Sequence, residues 1–134
     1  MNYNELRIAE YDFNGHLLYM RYPNGIGHWY EYDSHGNILY KKHSNGDEVW
    51  YEYDSNGNCI HRKYSDGFEE WLEYNENGNR IHRKTSNEYE AWYEHDDKGN
   101  CIRWWDSVGF ENWFDSNGKE ISKEQYVQIH GTNA

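Results

Sequence analysis

The sequence predicts an all-β fold: an antiparallel meander of about six 21-residue β-hairpin repeats, forming a curled sheet or a closed barrel, with a short C-terminal helix. Three observations carry this. Trp29, Trp50, Trp71, Trp92 and Trp113 recur every 21 residues, and Gly15, Gly36, Gly57, Gly78 and Gly99 keep the same interval. Self-similarity at a fixed period of this length marks stacked repeats. Each unit holds two turn signals, such as Ser44-Asn45-Gly46 and Asp33-Ser34-His35-Gly36. Asn-Gly pairs and a glycine after three turn formers supply residues that tolerate positive φ. Between the turns lie short runs rich in Trp, Tyr and Ile, and the single proline, Pro23, falls at a turn. Such runs read as strands, not helices.

The expected strands lie near residues 6–11, 16–22, 26–32, 37–43, 48–53, 58–64, 68–74, 79–85, 89–95, 100–105, 110–115 and 119–122. The array opens on a half unit, Ile8 to Tyr11, and closes on the other half, Gly118 to Ser122. Pairing of these halves would close a barrel and remove both edges; the open sheet is the alternative. Alternation puts Trp50 on one face with Glu48 and Glu52, and Tyr51 and Tyr53 on the other. A two-residue Asn-Gly turn sets Lys41 opposite Trp50, and a three-residue turn shifts the register by one. The Trp series and the constant Leu18, Leu39, Ile60, Ile81, Ile102 and Ile121 are the expected core. Ser122-Lys123-Glu124-Gln125 fits a capping box. It predicts a helix over 123–129, ended by Gly131, plugging an end or covering an edge. The whole chain, 1–134, is expected to be one domain, with repeats over about 6–122 and a cap over 123–134.

Composition excludes several classes. A mean hydropathy of −1.29 and a net charge of −11 suit a disordered chain. Aromatics at 19% oppose that reading, because large rings can replace missing aliphatics as core. No apolar run reaches the length of a membrane span, and the start at Met1 lacks the pattern of a secretory signal, so a cytoplasmic location is expected. The acidic balance disfavours nucleic acid and anionic membranes and favours a basic partner. Cys59 and Cys101 lie two units apart, too far to bridge, and read as small apolar residues.

No catalytic constellation appears, so the expectation is a non-enzymatic protein without cofactor. His61 and His82 occupy equivalent places in successive units, roughly 10 Å apart by strand spacing. That is too far for one zinc ion, and no metal is expected. Glu31, Glu52, Glu73 and Glu94, with Asp115, are expected to face a basic series of Arg21, Lys41, Lys42, Arg62, Lys63, Arg83 and Lys84 in a stabilising ladder. The residues that break the repeat are the binding candidates. Asp47, Glu48, Asp66, Glu69, Glu70, Glu88, Glu90 and Glu111 gather near one set of hairpin tips. Trp104 and Trp105 stand where other units carry a basic pair. These ten are the expected partner-binding residues, although the acids also fit a solvated rim and the two Trp a cap. The aromatic ladders admit a carbohydrate or cell-wall binding module as the alternative.

Tyr32-Asp33-Ser34-His35-Gly36-Asn37 and Tyr53-Asp54-Ser55-Asn56-Gly57-Asn58 resemble the YD repeat of RHS proteins. Tyr11-Asp12, Tyr74-Asn75 and His95-Asp96 match in part. The resemblance spans roughly residues 10–122, and in that family such repeats wrap into a shell. This chain is too short to enclose a toxin. The resemblance implies a small immunity protein whose partner is a cognate toxin domain, neutralised by occlusion. Neither the toxin nor the oligomeric state follows from it.

Overall fold

A computed structural model describes residues 8–131. The chain forms β1 (Ile8–Tyr11), β2 (Leu17–Arg21), β3 (Gly27–Tyr32), β4 (Ile38–His43), β5 (Glu48–Tyr53), β6 (Cys59–Tyr64), β7 (Glu69–Tyr74), β8 (Arg80–Thr85), β9 (Glu90–His95), β10 (Cys101–Asp106), β11 (Glu111–Phe114), β12 (Glu120–Ile121) and α1 (Lys123–His130). The strand order is linear, β1 through β12, so the open antiparallel meander forms and not the barrel. Two compact units divide it, one ending at Glu69 and one beginning at Glu70. Among the described residues no helix is long and apolar enough to cross a membrane.

One turn chemistry builds every hairpin among the described residues. His43 N–H donates to the Asp47 carbonyl at 2.8 Å, and Gly46 N–H donates to the His43 carbonyl at 3.0 Å. Three residues therefore span the closing pair, with Gly46 in the left-handed region at φ 98°. This is a three-residue loop with a glycine bulge. Its consequence is the shifted register: Tyr40, not Lys41, lies opposite Trp50, and Lys41 lies opposite Val49. The two-residue alternative fails because Ser44 joins Asn45 and Gly46 in the loop, its N–H donating to the Gly27 carbonyl of the neighbouring hairpin.

The Tyr-Asp pair has a structural explanation. Asp33 Oδ1 accepts from the backbone N–H groups of His35 and Asn37, both at 2.9 Å. The hydroxyls of Tyr32 and Tyr53 reach back one repeat and donate to the carbonyls of Leu17 and Ile38, each at 2.7 Å. The Asp thus sets the turn and the Tyr ties it to the preceding hairpin. Where His95 replaces that Tyr, its buried Nδ1 has no hydrogen-bond partner among the described residues. The constant apolar series is the extra residue of a bulge. Glu31 pairs Tyr40 and Tyr32 pairs Ile38, leaving Leu39 between; Ile60, Ile81 and Ile102 are left in the same way.

The turn aspartates make the fold acid-sensitive. Asp12, Asp33 and Asp54 are held below their ordinary value of 3.8, chiefly by the N–H of the residue four positions on. At Asp96 the Asn100 side-chain amide leads. A depressed carboxyl stabilises the fold above the unfolded value and loses that contribution as the pH falls through the folded one. Stability should therefore decline below pH 3.8. Asn75 already makes the same bonds from its Oδ1, at 3.0 Å. The D33N/D54N/D96N variant should then show a flatter acid limb in thermal melts taken from neutral to acid pH.

Glu88 replaces the turn glycine and adopts φ 69°. A residue with a Cβ is strained there by about 1–2 kcal/mol. Glu88→Gly should raise stability by about 1 kcal/mol after the greater freedom of glycine in the unfolded chain is subtracted. Urea titration should show a higher midpoint at unchanged slope.

Burial differs from the expected core. Trp29, Trp50 and Trp71 remain 38%, 40% and 39% exposed. They share a face with the glutamates two positions away on the same strand, as alternation requires. The buried side chains concentrate in the second unit: Leu72, Ala91, Ile102 and Tyr126, with Glu70 and Thr85. The first unit is held by half-buried rings, such as Tyr30 and Tyr32 at 6.4 Å and Tyr51 and Tyr53 at 6.5 Å. The helix α1 begins with the expected capping box: Ser122 Oγ accepts from Gln125 N–H, and Gln125 Oε1 accepts from Ser122 N–H. It extends one residue beyond the expected end and lies on β11. Its Tyr126 hydroxyl donates to Glu94 at 3.1 Å, so the helix covers part of the Trp and Glu face of the second unit.

Candidate functional site

Hairpin tips in the first unit are latched side by side by serines. Gly27 N–H donates to Ser44 Oγ and Glu48 N–H to Ser65 Oγ, both at 3.0 Å. Ser44 and Ser65 return the bond from their own N–H to the carbonyls of Gly27 and Glu48. This latch brings Asp47, Glu48 and Asp66 onto the lip of one cleft of about 530 Å³. Its walls are aromatic, from His28, Tyr30, His43 and Tyr64, and Val49 and Lys41 also line it.

The cleft is electronegative. Asp47 is fixed by Asn45, whose Nδ2 donates to it at 2.8 Å and whose Oδ1 accepts its N–H at 2.9 Å. Asp66 is exposed, and its Oδ1 accepts the Phe68 N–H at 2.9 Å. Burial, then the charges of His43 and Lys41, push the His28 imidazole below its ordinary 6.5. Neutral His28 therefore adds no positive charge at neutral pH. The exposed carboxylates of Asp47 and Asp66 stand on its lip, and a concave acidic site of this kind raises the local concentration of cations.

The other acids divide differently. The glutamates expected to face the Lys/Arg series instead bracket His61, His82 and Arg103, again because of the one-residue shift. Glu52 and Glu69 bracket His61 at 3.5 and 3.2 Å. Glu73 and Glu90 bracket His82 at 3.1 and 3.4 Å, and Lys84 lies 3.9 Å from Glu90. Glu94 and Glu111 bracket Arg103, each at 3.5 Å. Lys42 instead stands over the Trp29 ring at 5.8 Å. Glu70, on the opposite face, is buried and bonds Arg83 Nε at 3.0 Å. Glu88 is exposed at its strained turn. Trp104 is half-buried between Tyr93 and Asn112 in the ladder. Trp105 stacks on Trp92 at 6.1 Å and 15°, with the Arg103 guanidinium 4.3 Å above it.

Cys59 and Cys101 are free thiols whose Sγ atoms lie 3.6 Å from the carbonyls of His61 and Arg103. Burial pushes the Cys101 thiol up, which makes it a poor nucleophile at neutral pH. Sequence reading missed the convergence of Tyr40 with Trp50 and of His61 and His82 each with two glutamates. The signal was the 21-residue phase of those positions, but its use needed the correct register.

No family model matches the chain, and no curated protein matches it significantly. Solved structures do. The crystal structure of TcdB2-TccC3 matches with a TM-score of 0.71 at 20% identity over 86% of this chain. The Photorhabdus luminescens Tc holotoxin pore, carrying a TccC3 substitution, matches with a TM-score of 0.72, also at 20% identity over 86%. The chain spans only 7% and 6% of those much longer chains. At this identity the likeness shows the fold alone.

Proposed function

We propose that the chain is a non-enzymatic protein-binding module and, within that class, a cytosolic immunity protein that neutralises a basic toxin domain by occlusion. The observation that carries this reading is the convergence of Asp47, Glu48 and Asp66 on one aromatic-walled cleft. An acidic rim around aromatic side chains suits a cationic protein surface, since charge steers the encounter and rings anchor it. That fold relatives are parts of a Tc toxin complex supports a protein partner.

The test is capture of a co-expressed toxin domain encoded beside this chain, followed by assay of that toxin with and without it. Recovery of a complex with suppressed toxin activity is the expected outcome. Absence of any complex contradicts the reading.

The half-exposed Trp29, Trp50 and Trp71 favour a second reading, a carbohydrate-binding face. Binding on an oligosaccharide array that Trp50→Ala abolishes would favour it over a protein partner.

A further inference from the structure

The position of Tyr40 recurs every 21 residues as His61, His82 and Arg103. Each has one glutamate nine residues before it and another eight after it: Glu31 and Glu48 for Tyr40, Glu94 and Glu111 for Arg103. In the second unit the two glutamates hold a guanidinium that also lies 4.3 Å over the Trp105 ring. In the first unit the intervening side chain is an uncharged phenol. The Tyr40 hydroxyl donates to Glu48 at 2.6 Å, and the neighbouring carboxylates push its ionisation up to about 12, so it remains a donor. Neither Glu31 nor Glu48 has an ion-pair partner among the described residues. Lys42, opposite Glu48 in the ladder, stands over Trp29 instead.

Between these groups lies a cavity of about 450 Å³ lined by Glu31, Leu39, Tyr40, Glu48 and Trp50. Trp50 is 40% exposed and its ring is tilted against Tyr40 at 5.5 Å. We propose that this box receives an arginine side chain of the protein partner, with the guanidinium between Glu31 and Glu48, as Arg103 lies between Glu94 and Glu111, and against the Trp50 ring. The inference rests on the protein-binding reading and names the chemistry the partner must present. Arginine fits better than lysine because its planar fork meets two carboxylates at once and stacks on an aromatic face.

The test is isothermal titration of the full chain at low salt with a tetra-arginine peptide. E31Q/E48Q should weaken binding about tenfold or more, since paired charge-assisted bonds are lost. A control with the same charge change at exposed turn and edge positions, D97N/E120Q, should weaken it less than about twofold. Tetra-lysine should bind at least about threefold more weakly than tetra-arginine. Absence of tetra-arginine binding at millimolar concentration overturns the inference. So does an equal loss in both variants, or equal binding of the two peptides. E31Q alone changes an exposed carboxylate and serves if the double variant folds poorly, with about a threefold loss expected. A captured toxin whose affinity ignores E31Q/E48Q overturns the box yet leaves the protein-binding reading standing. Peptide binding without any captured partner does the reverse.

Discussion

Leu72→Ala should destabilise the second unit by about 3 kcal/mol. Leu72 is 2% exposed at the centre of β7, on the face where Ala91 is 1% exposed. Removing its branched end loses transfer free energy and leaves a void that a paired strand cannot collapse to fill. Few other buried aliphatics share the load, since Ile102 is the remaining one among the described residues. Thermal melting should fall by about 10 °C for a chain of this size. Trp50→Leu, at a 40% exposed site, should lower it far less. Equal losses at the two positions would mean that the Trp face, not the Leu72 face, is the core.

Glu70→Ala should cost about 2–3 kcal/mol. The Glu70 side chain is 7% exposed and that of Arg83 29%, and they bond at 3.0 Å. Loss of the carboxylate strands a partly buried guanidinium, and its residual exposure moderates the penalty. The E70A/R83A pair should recover part of the loss, giving a positive coupling in a double-mutant cycle. Additive losses would show that the two residues do not act together. Glu70 occupies the place of Val49 and Ala91 in neighbouring units, and such a departure from the repeat reads equally as a binding residue or as a private structural pair. Only the tertiary contact separates the two.

That ambiguity explains how far the sequence could be read. Turns, strand limits, the capping box at Ser122 and the meander were legible, because each is a local signal repeated in phase. Register was not, because it depends on whether Gly46 lies inside a two-residue or a three-residue loop. The one-residue difference put Tyr40, not Lys41, opposite Trp50, and it set His61, His82 and Arg103 between paired glutamates. The tip acids were legible as a group. Which of them share a cleft was not, since the Ser65 latch that brings Asp47, Glu48 and Asp66 together spans 17 residues.

The central claim is that the acidic cleft of the first unit docks a basic protein, and its most direct measurement is the association rate of the captured partner. With D47N/D66N the rate at low ionic strength should fall about tenfold, and raising the salt should narrow the gap to the parent chain. The D97N/E120Q control should change the rate less than about twofold. Equal slowing by the two variants would show that net charge alone attracts the partner, and an unchanged rate for D47N/D66N would contradict docking at this cleft.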